Sequence, residues 1–403
     1  MKILICHNFY QQPGGEDVGF RTDIELLENY GHDVYTYTDH NERIEQMNPI
    51  KVAADTFWST TTSSKLEKRI AKINPDVVHF HNTFPLISPS AYYVCQQKKV
   101  PVIQSLHNSR LLCQGSFFRD GSICQDCLNK KIQWDGILHG CYRKSRLQTS
   151  VVALMIGFHH LLKTWQQQVD TYIVFTEFYK KIFIKGGLPA DKIRVMEQCI
   201  YSDPKIRKQY NGEYALYIGR LDTEKGAEVL ISAWKQLPGI PLKIRGSGQL
   251  LNKTKEIIAS CNLSNIQIVD RLPEDAIIRL IKNARFLIWP SLGFYETFGR
   301  VAVEAFACGV PVIASKTGVN EHIVKNNFTG LHFKSNDPQD LAAKVTWAWE
   351  HPEEMVEMGK NARKEFEAKY TAEKNYEMLM DIYQTTIDRK KKSRTKINSK
   401  IEL

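Results

Sequence analysis

Short apolar runs, separated by segments of helical length, recur along the whole chain. In the first half these runs are "KILICHN", "DVYTYT", "DVVHFHN", "PVIQSLH", "TYIVFTE" and "IRVMEQ". In the second half they are "YALYIGR", "LKIRGSG", "IQIVDRL", "RFLIWPS", "VPVIAS" and "GLHF". Several are apolar without alternation, which is typical of strands that are covered on both faces. The pattern therefore predicts two sets of βαβ units with parallel strands.

A polar segment containing Pro204 and Gly212 separates the two sets and predicts a domain boundary near residue 200. We expect two doubly wound, Rossmann-like α/β domains over residues 1–200 and 201–370. In open parallel sheets ligands bind outside the carboxyl ends of the strands, so the loops after strands are the places to search for chemistry.

The C-terminal part, from Pro338 to Lys390, is predicted to be helical. We assign its last helix, at about 371–388, to the first domain. Residues 389–403 form a basic tail that we expect to be weakly structured. Such a tail either keeps a protein soluble or contacts anionic lipid, at ~1 kcal/mol per basic residue near the surface.

The composition is that of a soluble globular protein, since 43% of the 403 residues are hydrophobic and 24% are charged. The first apolar run is too short for a signal peptide, and "VVALMIGFHHLL" is interrupted by two histidines before it reaches membrane-spanning length. We expect a cytoplasmic protein, peripheral at the inner face of the membrane if the tail binds lipid. The net charge of +10 admits nucleic acid, anionic membranes or phosphorylated ligands as partners.

The loop "GRLDTEKG" follows the first predicted strand of the second domain. Arg220 and Lys225 flank a tight turn between two glycines, so the backbone can approach a ligand while two cations point at it. A diphosphate needs this arrangement. Taken alone, the loop is equally well interpreted as a solvated turn.

The segment "ETFGRVAVEAFACGVP" predicts a helix from near Thr297 to Gly309. The amides of Phe298, Gly299 and Arg300 would lie at the positive end of its dipole, where phosphate binds favourably.

Two carboxylates, Glu296 and Glu304, flank these amides. Carboxylates accept hydrogen bonds from hydroxyls, and a vicinal diol offers two donors, so sugar and ribose are suitable partners. The alternative for Glu304 is a surface ion pair with Arg300, four residues before it, worth only ~0.2–0.5 kcal/mol.

These residues resemble the retaining GT-B glycosyltransferases of family 4, also called group 1. The resemblance rests on the E-x7-E pair, the "GR…KG" loop, the continuation "ACGVPVIAS" and the "PGG" loop at Gly14 and Gly15. It spans nearly the whole chain. It implies the GT-B fold, in which two Rossmann-like domains face a central cleft.

The resemblance also implies roles for individual residues in the second domain. Glu304 would hold the ribose diol of a nucleotide, and Glu296 would contact hydroxyls of the transferred sugar. Arg220 and Lys225 would neutralise the leaving diphosphate. Where the family often has Leu-Gly, this chain has Asp270 and Arg271, which places Arg271 next to the expected base site.

In the first domain, the resemblance implies that Gly14 and Gly15 bring backbone close to the donor phosphates and the acceptor. His107 would contact the donor sugar near the reacting carbon. We interpret His79 and His81 in "DVVHFHN" as structural hydrogen bonders.

The implied reaction cleaves a sugar from its nucleotide, so cations at the diphosphate stabilise the transition state more than the ground state. The resemblance implies retention of the anomeric configuration, with a UDP- or GDP-sugar as donor. No acidic pair in the sequence demands a catalytic metal.

Four of the nine cysteines, Cys113, Cys124, Cys127 and Cys141, cluster in an insertion at 108–150. Four thiolates in a segment without a core of its own predict a structural zinc site, and unpaired thiols are the alternative. A zinc ribbon that reads nucleic acid is disfavoured, because only scattered basic residues accompany the motif.

The leading hypothesis is transfer of a hexose-type sugar to a glycan or a polyprenyl-linked acceptor in surface polysaccharide assembly. One alternative is a GT-B epimerase or hydrolase that acts on sugar nucleotides without an acceptor. Another is a catalytically silent module that binds a sugar nucleotide or a membrane surface, which retention of both glutamates and both cations disfavours.

Overall fold

The computed structural model describes residues 1–11, 14–201, 203–207, 212–292 and 296–401. The chain divides into two compact units. The first comprises Met1–Ser116, Gln125–Glu197 and the residues from Asn375 onward, and the second comprises Phe117–Cys124 and Gln198–Lys374. Near the predicted domain boundary, the chain passes from the first unit to the second between Glu197 and Gln198.

The first unit is built on a six-stranded parallel sheet. Its strands are β1 (Lys2–Phe9), β2 (Asp33–His40), β3 (Val77–Asn82), β4 (Val102–Ser105), β7 (Thr171–Val174) and β8 (Ile193–Val195). Their spatial order is β2-β1-β3-β4-β7-β8. The order reverses between β1 and β3, which makes that crevice the expected ligand position of this unit.

Helices of the first unit connect these strands. They are α1 (Gly15–Asn29), α2 (Pro49–Phe57), α3 (Thr60–Ile73), α4 (Ser90–Gln97), α5 (Trp134–His139), α6 (Arg146–Leu161), α7 (Thr164–Gln167) and α8 (Glu177–Lys185). Helix α1 begins at the "PGG" loop, where Gly14 is the N-cap and the Asp17 carboxylate accepts the Gly14 N–H at 2.7 Å. Pro13 of that loop lies outside the described residues.

The second unit has a six-stranded parallel sheet of its own. Its strands are β9 (Tyr214–Ile218), β10 (Leu242–Arg245), β11 (Ile266–Val269), β12 (Ala284–Trp289), β13 (Val312–Ser315) and β14 (Gly330–Phe333), in the order β11-β10-β9-β12-β13-β14. This is the dinucleotide-binding order, and it reverses between β9 and β12. The prediction of two doubly wound parallel-sheet domains is confirmed.

Helices cover the second sheet and supply its core. They are α9 (Ala227–Trp234), α10 (Leu251–Ser260), α11 (Glu274–Lys282), α12 (Arg300–Ala307), α13 (Gly318–Ile323), α14 (Pro338–Glu350) and α15 (Pro352–Lys369). Trp234 of α9 is fully buried in this core, and its ring N–H donates to the carbonyl of Ile240.

The sequence predicts that the whole cysteine-rich insertion belongs to the first domain, but the structure divides it between the two units. A two-stranded hairpin, β5 (Phe118–Arg119) and β6 (Ser122–Ile123), falls with the second unit. Phe118 packs against the core of that unit, which accounts for the grouping.

The C-terminus also differs from prediction. Helix α16 runs from Ala372 to Ile401, so the segment from Arg389 that we expected to be weakly structured is helical as far as it is described. The Lys390 ammonium contacts the Asp170 carboxylate at 2.9 Å and the Gln96 side-chain oxygen. The side chains of Arg394 and Lys396, and residues 402–403, lie outside the described part of the chain. The described helices include none that is both long and apolar enough to cross a membrane.

Candidate active site

The loops that follow β9 and β12 meet at the point where the strand order of the second sheet reverses. The Leu292 N–H donates to the Glu224 carbonyl at 2.8 Å, which ties one loop to the other. Gly226 has a φ of +74°, and a Cβ there would lie 2.1 Å from the carbonyl oxygen of Pro290. Only glycine allows this approach, and the glycine positions Lys225 beside the end of β12.

Lys225 contacts Glu296 directly, so the cation from one loop and the carboxylate from the other form an ion pair. The Glu296 Oε1 atom also accepts from the Ser291 hydroxyl at 2.8 Å and from the Trp289 ring N–H at 3.4 Å. The Glu296 side chain is only 16% exposed. Burial alone would raise its pKa, but the Lys225 charge and these hydrogen bonds outweigh burial and lower the pKa.

All three of these contacts use the same oxygen of Glu296. The residues around it therefore hold the carboxylate ionised and fixed in orientation. Ser291 is itself held, because its carbonyl accepts from the Ser315 hydroxyl at 2.5 Å, and that hydroxyl accepts from the Asn320 side-chain amide at 2.8 Å.

Arg220 lies in the first of the two loops and is 49% exposed. Its guanidinium contacts the Asp222 carboxylate at 2.9 Å and the Glu224 carboxylate at 3.3 Å. The Tyr217 hydroxyl donates to the Arg220 carbonyl at 2.6 Å, which anchors the turn. The cation is thus oriented by two acids that the sequence analysis did not single out.

Helix α12 begins at Arg300, three residues later than predicted. Its N-cap, Gly299, has a φ of +97°, and the Trp289 ring occupies the place where a Cβ would lie, at 2.1 Å. The first helical amides are therefore those of Arg300 and Val301. Phe298 is buried and packs against the ring of Tyr370 at 5.9 Å, so its side chain is part of the core.

Glu304 and Arg300 form an ion pair, at 3.0 Å between Oε1 and Nε, which is the alternative that the sequence leaves open for Glu304. The two side chains are 21% and 20% exposed, so the pair lies at the edge of the core rather than in open solvent. Arg300 also donates to the Cys199 carbonyl at 3.4 Å. Arg271 is exposed in the loop after β11.

In the first unit, Gly14 and Gly15 both have open space where a Cβ would lie, and neither has a positive φ. Neither a close contact nor a backbone angle among the described residues therefore requires glycine at these two positions. His107, after β4, places Nε2 3.0 Å from Nδ1 of His81 and packs against the Phe175 ring at 4.8 Å. Burial and three neighbouring histidines hold the His107 pKa well below its usual range, so the ring is neutral at physiological pH.

The four clustered cysteines do not form a ligand set as they are arranged. A tetrahedral zinc site with Zn–S bonds of about 2.3 Å needs its sulfurs about 4 Å apart. Among the described residues, no three cysteine sulfurs lie within 4.8 Å of one another. Cys113 and Cys127 are buried. Burial is the largest cause that raises the pKa of Cys127 to about 12, and the neighbouring Cys113 and Cys141 also raise it. Cys124 is less buried and ends the hairpin that belongs to the second unit.

Sequence reasoning missed the residues that orient the charged groups, above all Ser291, Trp289 and Asp222. One signal could have found the first two, since both lie at the carboxyl end of a predicted strand next to the reversal of strand order. Asp222 lies inside the "GRLDTEKG" motif itself.

A sheet of dinucleotide-binding order, with cations and carboxylates held at its reversal point, is suited to binding a phosphorylated ligand. Two family models adjoin along the chain: "Glycosyltransferase Family 4" matches residues 20–201 and "Glycosyl transferases group 1" matches residues 202–365. The second half of the chain thus matches the group 1 glycosyltransferases, and the first half matches glycosyltransferase family 4.

Among curated relatives, an uncharacterized glycosyltransferase of Methanocaldococcus jannaschii, MJ1178, is 33% identical over 209 residues, which are 51% of this chain and 58% of the relative. The O-antigen chain mannosyltransferase C of Escherichia coli is 24% identical over 212 residues, 52% of this chain and 56% of the relative. The matches thus span little more than half the length of these relatives.

Among solved structures, Anabaena Alr3699/HepE in complex with UDP superimposes with a TM-score of 0.69 at 17% identity. The match covers 96% of this chain and 100% of that one. At this identity the likeness establishes the fold.

Proposed function

We propose that this chain is a retaining glycosyltransferase that moves a hexose-type sugar from a UDP- or GDP-sugar to a glycan or polyprenyl-linked acceptor in surface polysaccharide assembly. The observation that carries the proposal is the fixed Lys225–Glu296 pair beside Arg220 at the reversal point of the second sheet. The name of the O-antigen relative supports the acceptor class, and the UDP complex of the structural neighbour supports the donor class.

In this proposal Lys225 and Arg220 neutralise the diphosphate as the sugar bond breaks. Both cations are pre-oriented by carboxylates, so little reorganisation is needed when negative charge develops on the leaving group. The Glu296 oxygen that is not used by Lys225, Ser291 and Trp289 would accept hydroxyls of the transferred sugar.

Glu304 would hold the ribose diol, with Arg271 near the base, and the amides at the start of α12 would contact phosphate. Gly14 and Gly15 would let first-unit backbone approach the donor phosphates, which accounts for glycine where the chain itself leaves open space. His107, neutral, would hydrogen-bond the donor sugar. The departing phosphate oxygen would take the acceptor's proton, and no catalytic metal is part of the proposal.

The proposal is tested by incubating the chain with a panel of UDP- and GDP-hexoses, with and without a bacterial lipid-linked glycan extract. Release of the nucleoside diphosphate that depends on the extract supports transfer. Equal release without it favours the hydrolase alternative, and conversion of the sugar without release favours the epimerase. Binding without any turnover identifies the silent module.

The structural zinc predicted at Cys113, Cys124, Cys127 and Cys141 is proposed separately from this chemistry, because it requires their sulfurs to come closer together than they are here. Metal analysis of protein purified without added zinc or strong chelator measures it. About one equivalent, with loss of metal and easier proteolysis of the segment in Cys124→Ser, is the expected result for a metal that stabilises folding. Less than about a tenth of an equivalent would leave the four cysteines as thiols.

We propose that the protein is cytoplasmic and that the basic end of α16 favours anionic membrane surfaces. The pairing of Lys390 with Asp170 leaves Lys391 and Lys392 as the more exposed members of the described cluster. Sedimentation with vesicles of anionic lipid should show binding at low salt that is released at high salt, because screening weakens contacts between exposed charges. Equal binding to vesicles of neutral lipid would contradict the proposal, and Lys344→Ala serves as a control on another helix.

A further inference from the structure

The outer face of helix α6 is apolar although it is exposed. Four large apolar side chains on this helix are between 40% and 77% exposed: Leu147, Leu154, Phe158 and Leu161. At 3.6 residues per turn, their spacing places them within about 60° of one another around the helix axis. These four residues, which we call the α6 stripe, therefore run along about 21 Å of one side of the helix.

The core of the first unit is supplied by the other side of α6. Val152 and Ile156 lie on that side and are buried. His159 is buried as well, and its two ring nitrogens contact the Thr164 hydroxyl at 2.9 Å and the Phe57 carbonyl at 2.8 Å. A helix at a protein surface normally carries polar residues on its outer side. A contiguous apolar stripe in that place is instead typical of an interaction surface.

Aromatic residues of the neighbouring helices extend this surface. The ring of Phe57, the last residue of α2, lies 6.1 Å from the ring of Phe158, and the next residue, Trp58, is exposed. Helix α5 packs against α6 and exposes Trp134 and Leu138. Tryptophan is enriched where an apolar phase meets water, because its ring is apolar and its N–H is polar.

The segment that carries the α6 stripe is basic. No aspartate or glutamate occurs from residue 136 to residue 169. Basic side chains are exposed near both ends of α6: Arg143, Lys144, Arg146 and Lys163. The acids that flank the segment contact lysines, since Asp135 lies 2.6 Å from Lys130 and Asp170 lies 2.9 Å from Lys390. The charge next to the stripe is therefore complementary to an anionic surface.

We infer that the α6 stripe docks on the surface of an anionic lipid bilayer. Its leucines and Phe158 enter the boundary between headgroups and acyl chains, and the basic residues at the ends of α6 contact the anionic headgroups. The other side of α6 is packed in the first unit, so the helix lies along the bilayer surface. The inference concerns a different surface from the basic end of α16, and it does not rest on sugar transfer.

A second copy of this chain is the alternative occupant of the α6 stripe. In a symmetric dimer the same patch of both copies meets, so the cations at the ends of α6 would face their own counterparts. Like charges brought together across an interface are unfavourable, whereas anionic lipid attracts them. The charge pattern therefore favours the bilayer.

The first test measures whether the stripe enters the acyl region. Leu154→Trp in the full-length chain places a fluorescent ring within the stripe, and Phe328→Trp places one at an exposed position of the second unit. The vesicles consist of anionic lipid with brominated acyl chains, which quench nearby tryptophan. The emission added by Leu154→Trp should shift to shorter wavelength and be quenched, while that added by Phe328→Trp should not change. Unquenched emission from Leu154→Trp, or quenching only in Phe328→Trp, would overturn the inference.

The second test removes two leucines of the stripe. Leu147 and Leu161 are the most exposed of the four, so Leu147→Ser/Leu161→Ser should melt at the temperature of wild type. Its partition coefficient on vesicles of anionic lipid at low salt should be about 10-fold lower or more, because two apolar side chains no longer leave water. Phe328→Ser, which removes an exposed apolar side chain of the second unit, should bind like wild type.

Two results of this second test would contradict the inference. One is an unchanged partition coefficient in Leu147→Ser/Leu161→Ser. The other is a wild-type dimer in sedimentation velocity that the double variant dissociates, which would assign the stripe to a second copy of the chain. Vesicle binding is measured without any nucleotide sugar, so absence of sugar transfer would overturn the proposed function and not this inference.

Discussion

Lys225→Ala and Arg220→Ala should each lower turnover by about 100-fold or more, because the loss of one pre-oriented charge at the leaving group costs a few kcal/mol in the transition state. Steady-state release of the nucleoside diphosphate measures the effect. Both residues are fixed by carboxylates before the donor arrives, so their contribution should appear mainly in kcat.

Two variants provide matched controls in the same unit. Lys253→Ala breaks an exposed pair with Glu228 at 2.7 Å, and Arg279→Ala breaks an exposed pair with Asp275 at 2.6 Å. Exposed pairs contribute about 0–1 kcal/mol, so both controls should keep near-normal turnover. Near-normal turnover in the Lys225→Ala/Arg220→Ala double variant would remove the diphosphate assignment.

Lys225→Ala should also change stability in a pH-dependent way. The folded-state pKa of Glu296 is lowered, so its stabilising contribution is present above the unfolded pKa and is lost as the pH falls through the folded value. Without Lys225, burial dominates and the carboxylate becomes costly at neutral pH, by about 1–3 kcal/mol. Thermal melts should therefore show a deficit at neutral pH that narrows in acid.

Glu304→Ala should weaken binding of the nucleoside diphosphate by about 10- to 100-fold, since two hydrogen bonds from a diol to a carboxylate are lost. Glu296→Ala should leave that binding unchanged or slightly tighter, because Lys225 loses a competing carboxylate, and should impair transfer of the sugar. Calorimetry with UDP and GDP alone separates the two residues.

The ion pair between Arg300 and Glu304 provides the control for this prediction. Arg300→Ala breaks the pair from the other side and keeps both the carboxylate and the backbone amide. Such a pair is worth about 0.2–0.5 kcal/mol, so nucleotide affinity should change by about 3-fold or less. The reverse pattern, with loss in Glu296→Ala and none in Glu304→Ala, would exchange the roles.

The strands were predictable because, in a chain of this composition, short apolar runs without alternation are typical of strands buried on both faces. All twelve predicted strands appear in the two parallel sheets, from "KILICHN" to "GLHF". The placement of the charged candidate residues was predictable for a similar reason, since they follow strands at the edge where ligands bind. Their roles remain predictions.

What the sequence did not show depends on contacts between distant residues. The late start of α12 results from Gly299, whose backbone turns over the Trp289 ring, ten residues earlier in the chain. The helical C-terminus follows in part from the pairing of Lys390 with Asp170, 220 residues apart. The grouping of the hairpin Phe118–Ile123 with the second unit depends on the packing of Phe118 against the core of that unit, which cysteine spacing alone does not encode.

The central claim is that this chain breaks a nucleotide–sugar bond and rejoins the sugar to an acceptor with its configuration retained. Proton NMR of the reaction with the active UDP- or GDP-hexose and the lipid-linked extract, in the presence of a chelator, tests it most directly. We expect nucleoside diphosphate to appear together with a new glycosidic anomeric signal whose coupling constant matches that of the donor. A product with the opposite coupling, or free sugar released equally with and without the extract, would contradict it.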